Sequence, residues 1–89
     1  MENNAIFKSI QTHINDIMGQ QTEIKPETHL IDDLGMDSLE VITLFSELEK
    51  EYQINVTDFE VENISTVEAA VKLIDFLIEK SKPHVTTGN

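Results

Sequence analysis

A serine in the first turn of a helix is the residue of this sequence best placed for chemistry. Asp37 is a good N-cap and Glu40 follows three residues later, as in a capping box, so a helix begins at Ser38. On a helical wheel at about 100° per residue, Ser38 and Ile42 share an outward face, and Leu39 lies farther round. Two apolar side chains that the core does not need, beside an exposed hydroxyl, indicate a docking surface. On spacing alone a second interpretation stays open and is the commoner one: Asp37 simply caps the helix and the apolar pair is incidental.

Other kinds of site find little support in the residue types. Ser38 has no nearby histidine base, because an acidic loop separates it from His29, so a serine nucleophile acting by itself is not expected. The absence of cysteine excludes disulfides and thiolate sites. Asp32 and Asp33 lack the alternating spacing and closing glutamate of a calcium loop, and the three histidines show no metal-ligand spacing. We therefore predict neither a metal site nor a catalytic residue.

Composition narrows the class of partner. The 89 residues include six lysines, no arginine and 17 acidic residues, which gives a net charge of −11. Nucleic acid and anionic membrane surfaces need a basic face, so neither is an expected partner. No apolar stretch approaches the ~20 residues that cross a bilayer, and the N-terminus does not resemble a signal peptide. We expect a cytoplasmic monomer without membrane insertion.

Apolar spacing predicts three long helices and a short one. The first runs from about Ile6 to Met18, with Asn3 or Asn4 as its cap and Gly19 at its end. The second helix has an apolar stripe of Val41, Leu44, Phe45, Leu48 and Tyr52. The short third helix has Thr57 or Asp58 as its cap, Glu60 in its first turn, and the apolar residues Phe59, Val61 and Ile64. The last helix begins with a Ser65–Glu68 capping box and stops at Pro83.

These elements predict an all-α fold, a small antiparallel four-helix bundle with a long loop between helices one and two. Residues 1–82 form the one domain, and 83–89 form a flexible polar tail. The loop, residues 19–37, is longer than usual for a segment without secondary structure. We expect Leu30, Ile31 and Leu34 to pack under the helices and hold it.

Several segments together resemble the acyl carrier proteins, the phosphopantetheine-binding carrier family. Asp37–Glu40, with sequence Asp-Ser-Leu-Glu, is similar to the family's attachment motif, and Ile31–Gly35 resembles the approach to it. Leu48–Tyr52 resembles the acidic, aromatic-ended second helix, and Ile64–Ala70 the entry into the last helix. The resemblance covers Ile6–Ile78 without a gap, so it is stronger than the short motif alone.

The resemblance implies that Ser38 carries phosphopantetheine, transferred from coenzyme A by a phosphopantetheinyl transferase, and that Asp37 helps that enzyme bind its metal. The chain would then be a non-catalytic carrier of acyl thioesters for fatty-acid or polyketide-type biosynthesis by separate, dissociated enzymes with basic docking patches. Five residues would face these partners: Asp37, Leu39, Glu40, Ile42 and Glu49.

Some positions depart from the fatty-acid pattern. Thr43, Ser46 and Lys50 stand where that pattern has an acidic residue, a methionine and an acidic residue, which leaves the attachment untouched but opens the question of which enzymes are served. Two alternative functions remain open: a carrier of aminoacyl groups, and an acidic protein that mimics nucleic acid and binds a basic protein. Two places are open to the acyl chain: the surface beside Leu39 and Ile42, or the bundle interior beside Val41, Leu44 and Phe45. The resemblance favours entry into the bundle, with Phe45 limiting the depth.

Overall fold

The computed structural model describes residues 2–81, which form four α-helices and no strand. The helices are α1 (Glu2–Met18), α2 (Ser38–Tyr52), α3 (Asp58–Glu62) and α4 (Val67–Ser81). This confirms the all-α, four-helix prediction, with three long helices and a short one. Pro83 and the predicted tail lie outside the described residues.

The core lies where α1 packs against α4 and α2, while α3 packs against α2. The apolar stripe predicted for α2 is confirmed, since its first four members are buried. Among the described residues every buried side chain is apolar. These buried residues are Ile6, Ile10, Ile14, Ile24, Leu30, Met36, Val41, Leu44, Phe45, Leu48, Ile54, Val67, Ala70, Val71 and Ile74.

The two ends of α1 differ in how well the sequence predicts them. The helix begins at Glu2, so the prediction of a cap at Asn3 or Asn4 was wrong, because both asparagines lie inside it. The predicted end is confirmed. Gly19 adopts a φ of 72°, and its N–H donates to the Asn15 carbonyl over 2.9 Å. Glycine is favoured there because other residues adopt a positive φ only with strain.

Three side chains of the long loop are buried and hold it against the helices: Ile24, Leu30 and Met36. Leu30 was predicted to do so, and Leu34 is half-buried as expected. The prediction for Ile31 was wrong, since it is 55% exposed. Leu30 and Ile31 are consecutive in the loop, and the chain turns so that only one of them faces the core.

The start of α4 is joined to this loop by backbone hydrogen bonds. Two loop carbonyls accept from the first two N–H groups of the helix: Thr28 from Val67 over 2.9 Å, and Pro26 from Glu68 over 2.8 Å. The capping box predicted for Ser65 and Glu68 was therefore wrong, because the Glu68 N–H already has a carbonyl partner. Thr66 caps instead, and its Oγ1 accepts from the Ala69 N–H over 3.1 Å.

The short α3 begins as predicted. Thr57 and Glu60 form a reciprocal capping box, and Val61 and Ile64 are half-buried against the core. Phe59, the other apolar residue of the predicted helix, is 74% exposed. Within residues 2–81, none of the helices combines the length and apolar character needed to cross a bilayer.

Candidate functional site

A tight turn brings the chain to Ser38. Its ends are fixed by the buried side chains of Leu30 and Met36, and the Met36 N–H donates to the Leu30 carbonyl over 3.2 Å. Gly35 closes the turn with a φ of 76° and donates its N–H to the Ile31 carbonyl over 2.9 Å. A Cβ added at Gly35 would meet nothing within 4 Å, so glycine is required here by the backbone angle and not by space.

The predicted capping box at the start of α2 is confirmed. Asp37 Oδ1 accepts from the Glu40 N–H over 2.8 Å, and Glu40 Oε1 accepts from the Asp37 N–H over 3.0 Å. Within the described range, the next two N–H groups, those of Ser38 and Leu39, have no hydrogen-bond acceptor. Two free donors at a helix N-terminus favour an anionic group, because the helix dipole adds to their attraction.

The Ser38 hydroxyl is exposed and unengaged. Among residues 2–81 no hydrogen bond joins it to another group. Of the two histidines within residues 2–81, His13 has its Nε2 2.8 Å from Glu51 Oε1, and His29 makes no hydrogen bond to Ser38. Ser38 is thus accessible to another enzyme but has no base with which to ionise itself.

A cleft of about 400 Å³ opens beside Ser38, between the loop, α2 and α3. Its walls are largely apolar, with two acidic side chains from α3. The cleft is lined by Ile31, Ser38, Val41, Ile42, Asp58, Val61, Glu62 and Ile64. The contribution of Val41 agrees with the expected entry route, but Phe45 is 98% shielded from solvent in the core and is not part of the lining.

The five residues expected to face partners divide into two groups. Leu39 and Ile42 are 69% and 54% exposed, so both are available to a partner. Asp37 and Glu40 already serve the capping box. Glu49 is half-buried, and its Oε2 accepts from the Val56 N–H over 2.7 Å, so its carboxylate also orders the connection to α3.

Sequence reasoning missed the far wall of the cleft. Asp58, Val61 and Glu62 come from α3, and Ile31 was assigned to the core instead of to the lining. The sequence could have shown that Asp58 and Glu62 lie side by side, because residues four apart on a helix share a face. It could not have shown that this face borders the cleft, because no sequence pattern predicts how α3 packs on α2. The described residues contain no group of three or more histidine, aspartate or glutamate side chains able to hold a metal ion.

Comparisons with known proteins agree with this geometry. A family model described as the phosphopantetheine attachment site matches residues 8–74, which include the whole of α2 and α3. The chain is 41% identical over 70 residues to an acyl carrier protein of Clostridium acetobutylicum, covering 78% of this chain and 91% of that protein. It is 45% identical over 58 residues to an acyl carrier protein of Chlorobium phaeobacteroides, covering 65% of this chain and 70% of the relative.

The chain belongs to the acyl carrier protein family. The fold comparison agrees: the crystal structure of an acyl carrier protein from Thermotoga maritima superposes with a TM-score of 0.83 at 23% identity, over 92% of this chain and 96% of that one. Family membership makes the chain an acyl carrier and phosphopantetheine its prosthetic group. The residues present fit that group, because an accessible hydroxyl, two unpaired N–H donors and an apolar cleft meet at one point.

Proposed function

We propose that Ser38 is the attachment point of phosphopantetheine, and that the chain is a non-catalytic, monomeric, cytoplasmic carrier for fatty-acid or polyketide-type synthesis by separate enzymes. The observation that carries the proposal is the exposed Ser38 hydroxyl, which has no hydrogen-bond partner within residues 2–81 and lies beside two free N–H donors. When attached, the arm supplies a thiol that holds acyl groups as thioesters.

The chain's own residues contribute positioning to the attachment step. Ser38 Oγ attacks the phosphorus next to pantetheine in coenzyme A, the bond from that phosphorus to the bridging oxygen breaks, and adenosine 3′,5′-bisphosphate leaves. The hydroxyl proton goes to a base on the transferase, because no side chain within residues 2–81 is hydrogen-bonded to Ser38 Oγ. The free N–H groups of Ser38 and Leu39, together with the N-terminal dipole of α2, would stabilise the phosphodiester anion at this position.

The cleft beside Ser38 supports a place for the acyl chain. Ile31, Val41 and Val61 contribute apolar surface to the cleft that Ser38 also lines. Each methylene removed from water contributes about 0.8 kcal/mol, so a medium-length chain gains several kcal/mol by entering. The alternative is the outer surface of α2, where Leu39 is 69% exposed.

The attachment is tested by mass spectrometry after incubation with coenzyme A and several phosphopantetheinyl transferases. Wild-type protein should gain the mass of one phosphopantetheine group, and Ser38→Ala should gain nothing. Ser46→Ala is the matched control, because Ser46 lies on the same helix but two turns farther along, and it should be modified like the wild type. A wild-type chain that no transferase modifies, or a Ser38→Ala chain that still gains the mass, would reject the proposal.

The place of the cargo is tested by thermal unfolding of carriers loaded with acyl chains of two to twelve carbons. Within each variant, the loaded form is compared with its own free-thiol form, so any direct effect of the substitution cancels. Wild type and Leu39→Ala should gain stability as the chain lengthens, whereas Val61→Phe, which fills the cleft, should lose most of that gain. Equal gains in Leu39→Ala and Val61→Phe would place the cargo elsewhere.

A further inference from the structure

Exposed large apolar side chains are concentrated on the elements around the Ser38 cleft. Of those found in the described part of the chain, Ile31, Leu39 and Ile42 lie on the loop and the start of α2, and Phe59 lies on α3. Phe59 is 74% exposed, the highest value among them. The remaining one, Phe76 on α4, has the Lys80 ammonium 5.6 Å from its ring centroid. Phe59 is therefore the most exposed of these side chains, and it lies on a helix that lines the cleft beside Ser38.

The fold fixes the direction of Phe59. Asp58, Val61 and Glu62 line the cleft, whereas Phe59 does not and is 74% exposed, so its ring lies on a neighbouring face of α3, in solvent. The capping box of Thr57 with Glu60 orders the start of α3. At its other end, Asn63 Nδ2 donates to the Phe59 carbonyl over 2.8 Å. The backbone that carries the ring is therefore ordered before any partner arrives, which lowers the entropy cost of using the ring as a contact.

The charge around Phe59 indicates what kind of surface can cover it. Three of the five residues of α3 are acidic, and residues 26–49 and 51–71 contain twelve of the seventeen acidic residues and no lysine. A second copy of this chain would bring like charge to like charge, which is unfavourable. A partner with an apolar pocket surrounded by lysine and arginine fits both the ring and the acids.

We propose that Phe59 is a specificity-determining contact of this carrier, inserted into an apolar, basic-rimmed pocket of the phosphopantetheinyl transferase that modifies Ser38; this rests on the proposed function. Buried aromatic side chains dominate the binding energy of many interfaces, and truncating one costs tenfold or more in affinity. Leu39 is on α2 and Phe59 is on α3, and both helices line the cleft beside Ser38. A partner that contacts both side chains is therefore held next to Ser38.

The test measures the transferase with coenzyme A and increasing concentrations of apo carrier, in wild type, Phe59→Ala, Phe59→Leu and Phe76→Ala. Phe76→Ala is the matched control, an exposed phenylalanine on another face. Phe59→Ala should raise KM at least tenfold while kcat changes less than twofold, and Phe59→Leu should recover part of the loss. Calorimetric titration of the transferase with each apo carrier, without coenzyme A, should show the same order of Kd. The thermal midpoints should stay within a few degrees of wild type, because Phe59 is not part of the core.

The outcomes separate this proposal from the one on which it rests. If no transferase modifies the wild type, the attachment proposal fails. If the wild type is modified and binds, but Phe59→Ala matches Phe76→Ala in both KM and Kd, the role of Phe59 is overturned while the attachment stands. If sedimentation shows a wild-type dimer that Phe59→Ala abolishes, the ring belongs to self-association and the proposal is likewise overturned.

Discussion

Ser9 and Ser38 are both helical serines, yet their hydroxyl groups have opposite environments. Ser9 Oγ donates to Glu51 Oε2 over 2.8 Å and lies 2.9 Å from the Tyr52 hydroxyl. Ser38 Oγ has no such partner in the described part of the chain. Because a hydroxyl that already bonds to a carboxylate and a phenol is neither free nor accessible, the comparison shows that Ser38 is available through the absence of neighbours, not through any activating group.

The same contrast extends to the carboxylates of the two regions. Between α1 and α2, a polar cluster of Ser9, His13, Glu51 and Tyr52 joins two helices that are distant in sequence. Around Ser38 the acids of α3 that line the cleft, Asp58 and Glu62, make no ion pair with any described residue. The first arrangement contributes to stability, whereas the second leaves charge available to a partner.

The geometry of the Ser38 region depends on the buried loop, so breaking its anchorage should have the largest effect on stability. Leu30→Ala removes a side chain that is 1% exposed and should lower the free energy of unfolding by about 2–5 kcal/mol. Ile31→Ala is the adjacent control at 55% exposure and should stay within about 0.5 kcal/mol. Urea denaturation followed by circular dichroism measures both. Similar costs for the two variants would mean that the loop is not held through Leu30.

The two serines give the next largest difference. Ser9→Ala leaves Glu51 and Tyr52 without a shared partner in a part-buried position and should cost about 1–2 kcal/mol of unfolding free energy. Ser38→Ala removes a hydroxyl without a described partner and should change stability by less than about 0.5 kcal/mol. The same denaturation experiment applies. If Ser38→Ala proved the more destabilising of the two, the Ser38 hydroxyl would have to be engaged in the folded protein.

The sequence predicts well those features that depend on near neighbours. The capping box at Asp37 and the one at Thr57 each involve residues three apart, and both are confirmed. The buried stripe of α2 follows from the helical period and is confirmed as well. The position of Ser38 in a first turn could therefore be predicted without a structure.

Features that depend on tertiary contacts could not be predicted in the same way. Ser65 and Glu68 have the spacing of a capping box, but Pro26 lies forty-two residues away and its carbonyl takes the Glu68 N–H. Ile31 is apolar and was expected to pack under the helices, yet packing leaves it exposed, and the apolar Phe59 is exposed as well. Hydrophobicity indicates which residues can be buried, and only the arrangement of the helices decides which of them are.

The polar cluster between α1 and α2 should depend on pH. Partial burial acts to raise the pKa of Glu51, but hydrogen bonds from His13 and Ser9, together with the charge of His13, outweigh it and lower the pKa below its usual 4.5. A lowered pKa in the folded state stabilises the protein above pH 4.5, and this contribution is lost as the pH falls through the folded-state value. Because the Glu51 side chain is 40% exposed and screened by solvent, the effect should be about 0.5–1 kcal/mol.

The measurement is the difference in unfolding free energy between wild type and Glu51→Gln from pH 7 down to pH 3. The wild type should be the more stable at pH 7, and the difference should shrink on acidification. Glu47→Gln is the control, since Glu47 is on the same face of α2 and has no ion pair within residues 2–81. A difference that does not vary with pH would show that the carboxylate charge of Glu51 contributes nothing.

The smallest expected effect has the opposite sign, and it distinguishes the two regions most directly. Glu62 is the last residue of α3, where a negative charge faces the negative end of the helix dipole, and it shares the cleft with Asp58 four residues before it. Glu62→Gln should therefore raise the unfolding free energy by up to about 0.5 kcal/mol, where the same substitution at Glu51 lowers it. Added salt should remove the gain, because the Debye length falls from about 10 Å at 0.1 M to about 3 Å at 1 M. Loss of stability in Glu62→Gln at low salt would mean that this carboxylate has a stabilising partner, and the acids of α3 would then not be free for a basic surface.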